Sequence, residues 1–106
     1  MAYEGEWRND EFDAKGVVYN DAPSVLRKAF DYTNFNLLDE EWISYQGELR
    51  RDSKEGTGIL LLTNGEVFEG QFSSDMVHGD GSFKRINGNL IKGCWEEGKL
   101  KKIYSQ

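Results

Sequence analysis

The chain has 106 residues and a formal charge of −6, with twelve glycines against one proline, which is room for one domain rich in tight turns. Residues 1–44 hold four Lys/Arg and ten Asp/Glu, while residues 45–106 hold nine of each; this acidic head, with no basic stripe anywhere, argues against nucleic acid and disfavours anionic lipid. There is a single cysteine, so no disulfide forms within the chain, and no apolar run reaches the length of a membrane-spanning helix.

The N-terminus, Met1-Ala2-Tyr3-Glu4-Gly5-Glu6, has neither the basic start nor the apolar stretch of a secretory signal. A cytoplasmic location is expected, whether cytoskeletal, ciliary or peripheral to a membrane. In residues 3–25 the large side chains Tyr3 and Trp7 alternate with Glu4 and Glu6 around Gly5, which reads as a half-buried strand. Val17, Val18 and Tyr19 supply its partner strand.

Residues 21–44 break this pattern. Asp21-Ala22-Pro23-Ser24 has the form of a helix start, and Val25, Leu26, Ala29 and Phe30 follow at helical spacing. A second short turn is predicted over residues 36–43, where Leu38 and Trp42 stand four apart. An irregular or extended connection is the alternative. With Phe30, Tyr32, Phe35, Leu37, Leu38 and Trp42, the segment is too apolar for a free linker. It either caps the stack that follows or forms a binding element, with Phe35, Leu38 and Trp42 as contact candidates.

From residue 45 the chain repeats with a period of 23. Tyr45-Gln46-Gly47-Glu48-Leu49 recurs as Phe68-Glu69-Gly70-Gln71-Phe72 and as Ile91-Lys92-Gly93-Cys94-Trp95. Gly56, Gly58 and Gly65 recur as Gly79, Gly81 and Gly88. Alternation around each central glycine predicts a strand, with polar turns over residues 50–54 and 73–76. Each Gly-x-Gly pair leads into a second strand, and Asn64-Gly65 and Asn87-Gly88 close the units. A lone hairpin is marginal in water, so the hairpins must share a core. The predicted fold is all-β: stacked antiparallel β-hairpins in one elongated or curved sheet over residues 1–106. Its units are 3–25 (degenerate), 45–67, 68–90 and a half repeat at 91–100, with an insertion at 26–44.

These units resemble the MORN repeat (membrane occupation and recognition nexus), whose motif runs Tyr-x-Gly-x-Trp-x-x-Gly, Gly-x-Gly, Asp-Gly. Residues 45–67 and 68–90 resemble it throughout, and residues 91–100 resemble its first half through Gly93, Trp95 and Gly98. Residues 3–19 resemble it in part, through Tyr3-Glu4-Gly5-Glu6-Trp7 and Gly16, and depart from it where Ala14 and Asp10 replace glycines. The resemblance implies a non-enzymatic scaffold or adaptor that binds a partner protein, as a small subunit of a cytoskeletal, ciliary or membrane-associated assembly. It also implies two alternatives, a phospholipid-binding module and a regulatory fragment of a larger enzyme such as a lipid kinase. The half repeat leaves open that further chain follows.

The residues carry little chemistry of their own. His78 is expected in a turn and Cys94 as a spectator beside Trp95, so no nucleophile has an orienting base. Asp39-Glu40-Glu41 lacks calcium-loop spacing, and Gly79-Asp80-Gly81 lacks the end of a phosphate loop. No catalytic, metal or cofactor site is expected. The column Tyr3, Trp7, Tyr45, Leu49, Phe68, Phe72 and Trp95 is either the core of the stack or, in part, a groove for a partner peptide or amphipathic helix. Gly5, Gly47, Gly56, Gly58, Gly65, Gly70, Gly79, Gly81, Gly88 and Gly93 are structural positions. Ile59, Leu60, Leu61 and Leu62 are apolar on both strand faces, so the insertion or a partner must cover the second face. Lys99, Lys101 and Lys102 guard an edge, touch lipid or meet a partner, and a homodimer through an edge is open.

Overall fold

The computed structural model describes the backbone of residues 2–8 and 11–105 and the side chains of residues 15–104. Eight strands follow in chain order: β1 (Ala2–Arg8), β2 (Glu11–Tyr19), β3 (Trp42–Arg50), β4 (Ser53–Leu62), β5 (Val67–Ser73), β6 (Met76–Lys84), β7 (Leu90–Glu96) and β8 (Lys99–Ser105). They form one sheet in the same order, with every neighbouring pair antiparallel. The molecule is elongated, 41 × 26 × 19 Å.

Glycines set the register. Gly5 pairs with Gly16, Gly16 with Gly47, Gly47 with Gly58, Gly58 with Gly70, Gly70 with Gly81 and Gly81 with Gly93. One row without side chains therefore crosses seven of the strands. It makes room for rings: a Cβ at Gly58 would meet the ring of Tyr45, and one at Gly81 would meet the ring of Phe68. Tyr45 and Phe68 each lie down over the glycine of the partner strand.

The strands run further than the sequence suggests. Residues 50–54 and 73–76 were expected as polar turns, but only Arg51-Asp52 and Ser74-Asp75 turn. Both residues of each pair have positive φ (51° and 65°, 50° and 68°), as in the primed two-residue turns that match strand twist. The Asn-Gly pairs make the joints between hairpins. There Gly65 N–H donates to Leu62 O (3.1 Å) and Gly88 N–H to Arg85 O (2.9 Å). The last unit, matched in sequence only over residues 91–100, forms a hairpin of two full strands, β7 and β8.

Residues 20–41 depart from the helical expectation. Among them only Phe35–Leu37 makes a single 3-10 turn, and the rest is extended or irregular. Trp42, expected in a second helical turn with Leu38, is the first residue of β3. The alternative of an extended connection is the one realised. The reason is tertiary: backbone groups of the segment bond to sheet side chains, an option that a local helix would forfeit. Val25 and Ala29, which would lie on the apolar face of that helix, are exposed.

Candidate functional site

The sheet has an inner face that the insertion covers and an outer face that it leaves open. On the inner face Tyr45, Leu49, Leu60, Leu62, Phe68, Phe72, Val77, Phe83 and Trp95 are buried in one cluster. Its rings meet edge-on across the unit boundaries: Tyr45 on Phe72 at 5.1 Å and 85°, Phe68 on Trp95 at 5.2 Å and 85°. The first aromatic of one unit thus meets the fifth-position aromatic of the next. Such pairs add about 0.5–1.5 kcal/mol beyond the area they bury.

Phe30 and Phe35 of the insertion complete this cluster, with Leu26, Tyr32 and Leu38 packed against it. Phe35 sits at the centre, 5.2 Å from Phe68, 5.7 Å from Phe83 and 6.0 Å from Trp95. The expected column members Tyr45, Leu49, Phe68, Phe72 and Trp95 therefore lie together under the chain's own segment, and Phe35, Leu38 and Trp42 lie with them. The side chains of Tyr3 and Trp7 fall outside the described residues.

Glu66 anchors the cover. It is fully buried, a costly position for a carboxylate that lacks partners. Its Oε1 accepts from Phe30 N–H (2.8 Å) and Asn64 Nδ2 (2.6 Å), and its Oε2 from Ile86 N–H (3.1 Å). The sequence reading missed this residue. The only signal was an acid set between a turn and the apolar start of a strand, and that pattern is common on solvated surfaces.

Asn20 gathers the two ends of the cover. Its N–H donates to Ile43 O (2.9 Å) and its Nδ2 to Trp42 O (3.0 Å). At the far side, Phe35 N–H donates to Gly98 O (2.7 Å) and Leu100 N–H to Thr33 O (2.8 Å), a single bridge on the edge of β8. The insertion thus crosses the inner face from the β4–β5 joint to β8 and caps part of the last edge.

A cavity of about 250 Å³ remains between cover and sheet, lined in part by Phe35, Leu38, Trp42, Lys54, Phe72 and Asp75. Lys54 Nζ lies 5.4 Å from the Trp42 ring centre and 5.6 Å from that of Tyr45, and 3.9 Å from Asp75 Oδ1. Burial lowers its pKa, and Asp75 opposes that in part. Tyr45 is shifted upward, first by burial and then by the Glu48 carboxylate. Its hydroxyl donates to Glu48 O at 2.7 Å.

The histidine and the cysteine both have local contacts among the described residues, with Cys94 Sγ 3.9 Å from Trp95 O. His78 lies within β6 rather than in a turn, and its Nδ1 accepts from Glu97 N–H at 3.0 Å. One period earlier, Glu55 Oε1 accepts from Ser74 N–H at 2.9 Å. Both side chains hold the turn of the next unit, so the histidine is a repeat contact. Among the described residues no group of three or more His, Cys, Asp or Glu is placed to hold a metal ion. No described helix is long and apolar enough to cross a membrane.

The outer face is open and unevenly apolar. One cross-strand row runs Val17, Gln46, Ile59, Glu69, and the next runs Tyr19, Ser44, Leu61, Val67. Ile59 is 38% exposed and Tyr19 41%, while Val17, Leu61 and Val67 are half-buried. A shallow trough between Val17, Gln46, Ile59 and Glu69 on one side and Lys15, Glu48 and Thr57 on the other runs over Gly16, Gly47 and Gly58. Leu60 and Leu62 of the four-residue apolar run face inward under the cover, and Ile59 and Leu61 face outward, the first exposed and the second half-buried.

Comparison with known proteins bears on the same segments. No curated protein matches the chain. The family model of the MORN repeat matches residues 3–20, 45–67 and 68–90, which are hairpin β1–β2, hairpin β3–β4 with its joint, and hairpin β5–β6 with its joint. Together these make up more than half of the chain. Four hairpins in one register, three of them fitting that model, show that the chain belongs to the MORN repeat family.

Proposed function

We propose that this chain is a non-catalytic adaptor that binds a partner protein through the outer face of its sheet, as a small subunit of a larger assembly. MORN repeats form binding and scaffold modules, and the histidine of this one is engaged in a repeat contact. The observation that carries the reading is the pair of rows holding Val17, Tyr19, Ile59, Leu61 and Val67. An antiparallel sheet with one wet face is expected to be polar there, and contiguous apolar surface on a small protein marks a contact site. Glu48 and Glu69 beside these rows favour a protein over an anionic lipid surface.

The test is affinity capture of the tagged chain from its source, read by mass spectrometry, for wild type, Ile59→Glu and Ile86→Glu. Ile86 is exposed away from the two rows. The reading requires a stoichiometric partner held by wild type and Ile86→Glu and lost by Ile59→Glu. A partner retained by all three, or recovery of the chain alone together with flotation on phosphatidylserine vesicles, would overturn it.

A further inference from the structure

The inner face reads the backbone of the segment that covers it. Ser24 O accepts from Thr63 Oγ1 (2.8 Å), and Leu26 N–H donates to that same oxygen (2.9 Å). Lys28 O accepts from Asn64 Nδ2 (2.9 Å), Phe30 N–H donates to Glu66 Oε1 (2.8 Å), and Tyr32 O accepts from Trp95 Nε1 (2.8 Å). The contacts fall on every second residue, the period of an extended chain. The groups that make them are side chains of the sheet and its joints, not strand backbone. Leu26, Phe30 and Tyr32 pack against the core, while Val25, Arg27 and Asp31 between them are exposed.

Such an arrangement is a peptide-recognition site with its ligand attached. Fixed side chains hold the main chain, and apolar hollows take alternate side chains. We infer that the inner face is a docking groove for an extended peptide, that residues 24–35 fill it in cis, and that the partner segment it takes in trans carries aromatic side chains at the spacing of Phe30, Tyr32 and Phe35. The ligand is extended rather than helical, because a helix would hide the backbone groups that Thr63, Asn64, Glu66 and Trp95 bond. This site is separate from the outer face, and each reading stands without the other.

The fold lets the cover leave without dismantling the sheet. Tyr19 pairs directly with Ser44, and Asn20 binds Ile43 and Trp42. The two ends of the cover therefore stand side by side, and the β2–β3 ladder closes beneath them. Lifting residues 24–35 breaks no strand-to-strand ladder; it gives up the side-chain contacts above, the bond from Ser24 N–H to Glu40 O (2.7 Å), the bridge of Asn34 to Lys99, and the packing of Phe30, Tyr32 and Phe35 on Phe68, Phe83 and Trp95. The tether sets the competition: a short linker holds its own ligand at roughly millimolar effective concentration, which masks a weaker ligand added in solution.

The experiment uses the full chain and a fluorescein-labelled synthetic peptide of residues 24–36, read by anisotropy. In the chain, Phe30→Ser with Phe35→Ser weakens the cover and leaves the groove side chains in place. The double variant is expected to bind the peptide at least about tenfold more tightly than wild type, since the tethered competitor is weakened. A control peptide with serine at all three aromatic positions should not bind. A variant that keeps its sheet by circular dichroism and melts cooperatively, yet fails to bind the peptide or binds the control equally, overturns the inference. Hydrogen exchange on the wild-type chain provides a second test that needs no variant. The amides of Leu26, Phe30 and Phe35 should exchange at least about tenfold faster than those of the β4–β6 ladder, as for a cover that opens locally. Equal protection throughout would make the cover permanent core and overturn the inference.

Discussion

The ring of Phe68 occupies the space that a side chain on Gly81 would need. Gly81 is paired with Gly70 on the neighbouring strand, so the ring crosses the glycine row and reaches Trp95 of the next unit. Gly58 stands in the same relation to Tyr45. Gly81→Val and Gly58→Val should each cost about 3 kcal/mol or more, at the upper end for overpacked cores. Gly65→Ala and Gly88→Ala are the controls. Nothing lies within 4 Å of a Cβ at either, and only the positive φ of 92° or 90° is strained; a cost of about 1–2 kcal/mol is expected. Urea unfolding of the four variants separates the two mechanisms, and equal losses would refute the steric one.

Phe72 belongs to the inner core, in edge contact with both Tyr45 and Phe68. Phe72→Ala should therefore lower stability by about 3–5 kcal/mol. A variant that unfolds at the same urea concentration as wild type would remove Phe72 from the core.

Glu66→Ala leaves the N–H groups of Phe30 and Ile86 facing a buried space without their acceptor. Each such loss costs about 1–3 kcal/mol, so the variant should lose about 3 kcal/mol. Glu66→Gln keeps the volume and one good acceptor, and should lose less. Thermal melts rank the two, and the reverse order would mean that the carboxylate does not anchor the cover.

Two tyrosines tie stability to alkaline pH. Tyr45 is shifted above 10.0 by burial. Tyr104 is pushed up to about 12, chiefly by the hydrogen bond to Asp80. A folded pKa above the unfolded one gives stability that is complete below pH 10 and lost as pH rises through the folded value. Melting temperature should fall above pH 10, and Tyr45→Phe should flatten that fall. Asp80→Asn should return the Tyr104 titration toward 10.0, read by NMR.

Lys54 runs the other way. Its pKa is lowered by burial, so the folded chain holds this proton less firmly than the unfolded chain does. The charge is a cost at neutral pH that is relieved as pH climbs toward 10.5. Lys54→Met keeps a long side chain near the rings of Trp42 and Tyr45 and drops the charge. At pH 7 it should melt at or above wild type, as when other buried ions are replaced by apolar groups. A clear loss would show that Asp75 and the two rings more than repay the burial.

The hairpins were legible because their rules are local. A period of 23 in Gly47, Gly70 and Gly93 needs no knowledge of distant contacts, and alternation around each glycine names the inner face. The path of the cover was not legible. Val25, Leu26, Ala29 and Phe30 have helical spacing, yet what holds this stretch is Thr63, Asn64, Glu66 and Trp95. Phe30 and Glu66 are 36 residues apart, and no local pattern links them. The column residues Tyr45, Phe68 and Trp95 could be picked out as apolar and aligned. Whether they met solvent depended on a segment whose course depended on them.

The order of strands in space is their order in the chain, and this has a consequence for synthesis. Each hairpin can close as it leaves the ribosome, because its partner strand is next. Residues 20–41 are the exception. They emerge before Phe68, Phe83 and Trp95, against which Phe30, Tyr32 and Phe35 come to rest. For the time needed to make roughly sixty residues, a few seconds at about 5–20 residues per second, three aromatic side chains wait without the surface they will cover. A chaperone would find its handle on the new chain there.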